Sequence, residues 1–334
     1  MEAKTKSGRG ALFFNFGTGY ALRLFVALHS LRKYYDGPIT LLLLEDDADA
    51  PAVAETAAKL SVDCIFVKDL SRSESRHEIL KASPYATTLS FDSDLLFRGP
   101  IDPLWGPLER EGLLVTRVEF HSLDDDGLPT KEGPKKRAEF LQEVEPIVGK
   151  EAVAEAVRKI YEESTDINIG VLGLSLPKGQ AFFDDYSRCM EQGRGQDIVV
   201  LDELLTVALV TRHGHALMDE SWNCPADEYF RTIGLLDAKV IHYFIDGWRL
   251  CGVRHGRNPS SWSGRMWYRA YEEAARDIDL RRWRRADVSF ASATDRYFAH
   301  GFDHGISETF KRLERKVRHA RYRLTGQTHK LRPQ

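Results

Sequence analysis

Two short, predominantly apolar runs near the start of the chain constrain its fold more than any other feature. Ala11 to Phe16 and Ile39 to Leu44 lack an alternating polar face, and glycine or charged residues bound each of them. A strand of that kind must be covered on both sides. Between them, Tyr20 to Tyr35 places Leu24, Phe25, Leu28 and Leu31 at helical spacing and stops at Asp36-Gly37-Pro38. The alternation continues with an alanine-rich helix around Val53 to Leu60, a strand over Asp63 to Val67 and another over Thr87 to Phe91. Strands separated by helices predict an α/β chain built on a Rossmann-like, doubly wound and mostly parallel sheet. In such sheets ligands bind beyond the carboxyl ends of the strands, where the strand order reverses.

The middle of the chain reads differently. Leu123 to Arg137 is rich in Asp, Gly, Pro and Lys and is expected to form a loop or lid. Glu151 to Glu163 resumes helical spacing through Val153, Val157, Ile160 and Tyr161, and Ile167 to Leu174 is a further buried strand. Without an internal repeat or a clear linker, the expected organisation is one domain over residues 1–255 and a helical C-terminal extension over 256–334. Within that extension Ile306, Phe310, Leu313, Val317, Ala320 and Leu324 make a narrow apolar stripe. Lys311, Arg312, Arg315, Lys316, Arg318, Arg321 and Arg323 surround it. Two readings stand: peripheral contact with an anionic membrane or a partner helix, or a terminal helix docked on its own domain with a solvated basic face.

Composition narrows the class. The net charge of -3 gives no global attraction to nucleic acid, which is therefore not an expected partner. No run approaches the length of a membrane span, and Met1 to Gly10 lacks the apolar core of a signal peptide. Cys64, Cys189, Cys224 and Cys251 lie far apart, so a disulfide framework is not expected and a reducing cytosol is the default compartment. A homo-oligomer is compatible with all of this.

The sharpest chemical signal is Leu89-Ser90-Phe91-Asp92-Ser93-Asp94. Residues two apart in an extended chain point the same way, so two carboxylates leave the end of a buried strand together. Hard divalent cations take such oxygen ligands and keep positions for phosphates, which suits Mg²⁺ or Mn²⁺ on a diphosphate. A plain polar turn would carry the same three letters.

The stretch from Arg76 through Ser83-Pro84-Tyr85 to Asp94 resembles the donor-site segment of nucleotide-diphospho-sugar transferases, specifically the glycogenin-like glycosyltransferase family eight. The resemblance continues at Asp166-Ile-Asn168-Ile-Gly170, Asp202-Glu203-Leu-Leu, Trp222-Asn223-Cys224 and Ile241-His242-Tyr-Phe, in the family's order, over roughly residues 11 to 250. It implies a UDP-sugar or other nucleotide-sugar donor, Mn²⁺ with Mg²⁺ as the alternative, and hexosyl transfer with retention to a glycan, lipid or protein. It also implies Asp94 as main metal ligand, Asp92 as a ligand that approaches the ribose, and His242 as a third ligand. Ser93, Arg76 and Lys81 fall at the donor. Arg76 could equally be a solvated helix residue.

Asn15 to Tyr20 matches the region that receives the base. There Asn15 and the glycines line the strand exit, and Tyr20 either stacks on uracil or begins the helix core. Asn168 faces the transferred sugar, or else is satisfied internally. Asp202 and Glu203 stand where the family usually carries Asp-Gln, so either carboxylate could lie nearest the anomeric carbon; an acidic helix start is the plain alternative. Arg249 stands loosely where the family has a phosphate-binding lysine. Competing readings are a sugar-phosphate nucleotidyltransferase, a phosphatase of the haloacid dehalogenase type, and a non-catalytic membrane-surface or partner-binding protein. The first lacks its long cationic loop after strand one, and Leu96 fits the second poorly.

Overall fold

The apolar runs of the N-terminal half become the middle of a sheet. In the computed structural model β1 (Arg9–Asn15) leads into α1 (Thr18–Arg32), followed by β2 (Ile39–Leu44), α2 (Ala50–Ala58) and β3 (Asp63–Val67). β1 pairs in parallel with β2, and β2 with β3. After α3 (Ser75–Ala82) the chain crosses to the other side of β1 and adds β4 (Thr87–Phe91), again parallel. The strand order therefore reverses between β1 and β4, which is where such sheets bind ligands. The structure describes residues 6–15, 17–68, 75–118, 122–123, 129–130, 132–162, 166–196, 198, 201–226, 237–243 and 262–286. The basic stripe over 306–324 and Arg249 lie outside these residues.

β5 (Leu95–Phe97), α4 (Asp102–Glu111) and β6 (Leu113–Val118) come next, then a short antiparallel pair, β7 (Ser122–Leu123) and β8 (Pro129–Thr130). Three helices, α5 (Glu132–Glu143), α6 (Glu145–Val148) and α7 (Lys150–Glu162), lead to the long strand β9 (Asp166–Ser175). α8 (Gln180–Gly193) and α9 (Leu201–Leu209) precede three short strands, β10 (Ala216–Met218), β11 (Cys224–Pro225) and β12 (Val240–His242). α10 (Trp262–Asp277) and α11 (Arg281–Ala286) end the described chain.

The main sheet runs β10-β6-β9-β4-β1-β2-β3, and a small second sheet runs β11-β12-β5. β9 is antiparallel to both its neighbours, so it begins beside the carboxyl end of β4. The Asp92 N–H donates to the Gly170 carbonyl at 3.0 Å, which ties the two strands at that edge.

The expected loop over Leu123 to Arg137 is corrected in its second half, where α5 starts at Glu132. Gly133 and Pro134 drew that segment toward a loop, yet proline is tolerated in a helix's first turn, where its missing N–H has no intrahelical partner to lose. α10 and α11, in the extension drawn from residue 256, pack on α1 and share its core. Trp267 and Trp283 are fully buried there, and the Trp283 ring lies 5.3 Å from that of Phe25. Each buried indole removes on the order of 200 Å² from water, about 5 kcal/mol before entropy is counted. Among the described residues no helix is long and apolar enough to cross a membrane.

Candidate active site

β4 is buried throughout its length, and Asp92, Ser93 and Asp94 turn out of its end half-buried. β5 starts at the next residue and pairs antiparallel with β12, with Leu95 opposite His242. The Tyr243 N–H donates to the Asp94 carbonyl at 2.9 Å. Backbone pairing thus delivers an imidazole from a distant segment to the two carboxylates. His242 Nε2 lies 3.1 Å from Asp94 Oδ1 and 3.5 Å from Asp92 Oδ2. One ligand atom from each of the three residues falls within 4.8 Å of the others. Two carboxylate oxygens and one imidazole nitrogen at that spacing fit a divalent ion such as Mn²⁺ or Mg²⁺. Burial pushes the His242 pKa down, but Asp94 and Asp92 outweigh it, so it stands above the ordinary value.

Glycine at 170 makes this arrangement possible. A Cβ there would lie 2.4 Å from His242 Cε1 and 2.9 Å from Asn168 Oδ1. The same place carries a bulge: Val115 of β6 faces Leu172, but Thr116 already faces Asn168. The intervening residues of β9 are thereby released from pairing with β6 beside the site.

Asn223 sets the orientation of the histidine. It is fully buried, and its Nδ2 lies 2.8 Å from Thr116 Oγ1, 3.0 Å from Asn168 Oδ1 and 3.1 Å from the Asn168 carbonyl. An amide nitrogen among acceptors leaves Oδ1 facing His242 Nδ1 at 2.9 Å. A carbonyl-type oxygen accepts, so Nδ1 carries the hydrogen, and in the neutral ring Nε2 presents its lone pair to the carboxylate side.

Beside this cluster lies a second group of charges. Arg76 begins α3 only 2% exposed, which overturns the solvated-helix reading. Its Nη1 donates to Ser90 Oγ at 2.7 Å, its Nη2 pairs with Asp92 Oδ1, and its guanidinium sits 5.3 Å over the Phe14 ring. Its backbone N–H also serves the Asp202 carboxylate. Asp202 and Glu203 stand in the first turn of α9, the acidic helix start that the sequence suggests. Burial, with Glu203 adding repulsion and Arg76 opposing, pushes the Asp202 pKa up to about 6.

Glu203 Oε1 pairs with Arg137 Nη2 at 2.6 Å, and Arg137 Nε lies 3.1 Å from Asp166 Oδ2. Burial raises Asp166 to about 6, with Arg137 resisting. Asn168 joins the two groups: Oδ1 accepts from Asn223 and from the Gly170 N–H at 2.8 Å, and Nδ2 points to Glu203 Oε2 at 3.5 Å.

The remaining expected residues are less tightly gathered. At the end of β1 Asn15 is buried; its Nδ2 donates to the Gly17 carbonyl at 3.0 Å, while its Oδ1 has no hydrogen-bond partner among the described residues. Gly17 follows at φ 80°, a turn that L side chains rarely adopt. Tyr20 is 41% exposed with the Arg23 guanidinium 5.4 Å over its ring, so it does not begin the helix core. Lys81, in the last turn of α3, is largely exposed, 3.9 Å from Glu78, and is not drawn into the cluster. Sequence reasoning gave no role to Asn223, Asp166 or Arg137. An acidic residue opening an apolar strand was a usable signal for Asp166. Arg137 had none, because it sat at the end of an expected loop.

No protein-family model matches the chain, and no curated protein sequence matches it either. Solved structures do. The bifunctional glycosyltransferase WbbM matches with a TM-score of 0.55 and 12% identity, over 88% of this chain and 53% of that one. The apo glycosyltransferase GlyE of Streptococcus pneumoniae TIGR4 gives 0.50 and 14%, over 87% and 64%. The chain thus spans between about half and two thirds of the length of those two proteins. The galactosyltransferase LgtC, solved with donor and acceptor sugar analogs, gives 0.49 and 18%, over 83% and 99%. The fold is thus one that the glycosyltransferases WbbM and GlyE share.

Proposed function

We propose that this protein is a metal-dependent glycosyltransferase that moves a hexose from a UDP-sugar to a glycan, lipid or protein acceptor, with retention of configuration. The observation that carries the reading is the convergence of Asp92, Asp94 and His242 at the carboxyl edge of a mostly parallel sheet, at its switch point. These three are the proposed ligands of Mn²⁺, with Mg²⁺ as the alternative. A metal held there would neutralise charge developing on the departing diphosphate. The nitrogen ligand favours Mn²⁺ over Mg²⁺, which prefers oxygen.

The protein's own groups divide the remaining work. Asp202 and Glu203, with Asn168 between them and the metal ligands, are proposed to face the sugar, where a carboxylate stabilises positive charge at the anomeric carbon. Arg76 holds Asp92 in place and brings a buried cation to the donor side. Asn15 and Tyr20 are proposed to receive the base; the orphaned Asn15 Oδ1 is an acceptor suited to a ring N–H. Ser93, Lys81 and Arg249 remain proposed donor contacts.

Incubating the protein with Mn²⁺ and a panel of UDP-, GDP- and CDP-sugars, then measuring released nucleotide, tests the reading. Metal-dependent release of UDP supports it. Release of inorganic phosphate from sugar phosphates, or no release from any donor, sinks it.

A further inference from the structure

We propose that Arg137 is a positioning residue, which fixes the carboxylate of Glu203 for reaction at the sugar. The inference rests on the glycosyltransferase reading above. Arg137 projects from α5, and its side chain is 11% exposed. One edge of its guanidinium meets Asp166, with Nε 3.1 Å from Oδ2 and 3.2 Å from Oδ1. Nη2 meets Glu203 Oε1 at 2.6 Å and also donates to the Ile167 carbonyl at 3.1 Å. A planar fork with two carboxylates and a carbonyl around it has little freedom to turn, which a lysine in its place would keep.

The consequence falls on Glu203. Its Oε1 is committed to Arg137, which sets the plane of the carboxylate and turns Oε2 toward Asn168 Nδ2. Asn168 is bonded in turn to Asn223, and Asn223 to His242. A continuous chain of polar contacts therefore runs from Arg137 to the proposed metal ligand. Asp166 anchors the outer end of the guanidinium from the first residue of β9. With the cation removed, the two acidic side chains would face each other without compensation, and Glu203 would turn away. Misplacing a reacting group by about 1 Å costs on the order of 100-fold in rate.

The test uses the full chain and three variants: Arg137→Lys, the pair Arg137→Gln/Asp166→Asn, and that pair combined with Glu203→Gln. The pair removes opposite buried charges together, so it leaves no unpaired Asp166. Nucleotide release from the donor that wild type accepts gives kcat and KM, calorimetry gives the affinity for UDP with Mn²⁺, and thermal melting reports the fold.

The pair is expected to lower kcat by about 100-fold while UDP affinity stays within about two-fold. Arg137→Lys, which keeps the charge and loses the fork, should fall between the pair and wild type. Adding Glu203→Gln to the pair should cost little more, because the carboxylate is already out of place. Wild-type-like kcat in a folded pair overturns the proposal. So does a parallel loss of UDP affinity and kcat, or a full further loss on adding Glu203→Gln. If wild type itself turns over no donor, the glycosyltransferase reading fails first, and this role falls with it.

Discussion

At one end of the site Asp94 and the second oxygen of Asp92 face an imidazole; at the other, Asp166 and Glu203 face a guanidinium. Both ends bring two carboxylates to one nitrogen base, and both are largely withdrawn from water. The bases differ in what they can give up. A guanidinium does not deprotonate in proteins, and here the two acids outweigh burial and hold it more firmly charged still. That cation is permanent and serves to hold geometry. An imidazole can release its proton and expose a lone pair, and Asn223 is placed to direct that lone pair at the carboxylates. That end can exchange a proton for a metal ion.

Metal removal should break the symmetry most. Exhaustive chelation is expected to lower donor turnover about a thousand-fold, since several kcal/mol of charge stabilisation leaves with the ion. Asp94→Ala should do the same, while Mn²⁺ restores only the chelated wild type. Undiminished nucleotide release after chelation would show the metal end to be as self-sufficient as the arginine end.

His242→Ala is the next largest test. The Mn²⁺ concentration for half-maximal donor binding should rise about ten-fold or more, each ten-fold being about 1.4 kcal/mol. In wild type the same quantity should worsen as pH falls, because metal must displace the proton that Asp94 and Asp92 favour on the ring. A titration independent of both pH and His242 would remove the histidine from the ligand set.

Gly170→Ala probes how closely the ring is seated. The new Cβ cannot share space with His242 Cε1, so the ring must move or the strand must shift. The cost should be about 1 kcal/mol of stability, together with a few-fold higher Mn²⁺ requirement. A variant matching wild type in both melting temperature and metal titration would contradict the packing.

The smallest effect concerns Asp202. Its folded pKa of about 6 exceeds the ordinary carboxylate value near 3.9, so between those limits the folded state binds more protons than the unfolded one. Its contribution is fully present below pH 3.9 and is lost as pH rises through 6. Asp202→Asn should therefore gain roughly 1 kcal/mol on wild type over that window, allowing for its partial exposure. Denaturant melts at pH 4 and pH 7 would measure the difference, and a constant gap would count against the buried environment.

Part of this architecture is legible in the amino-acid sequence, and part is not. The two apolar runs and the helical spacing between them determined a covered parallel sheet, because periods of two and 3.6 are local properties of the chain. Asp92 and Asp94 were legible for the same reason. So was the neighbourhood of Asp202, Glu203 and Asn168, through ordered resemblance. Whether Arg76 was solvated, whether Tyr20 was core and where Arg137 belonged depended on contacts across the fold. Only the pairing of β5 with β12 puts His242 against Asp94, and only the reach of Arg137 from α5 to the start of β9 gives Asp166 and Glu203 their cation. Sequence alone determined the strands and helices of the N-terminal half and where acid would emerge from them. Tertiary structure decided which base each acid meets, because charges far apart in the chain find one another only after the apolar segments have packed.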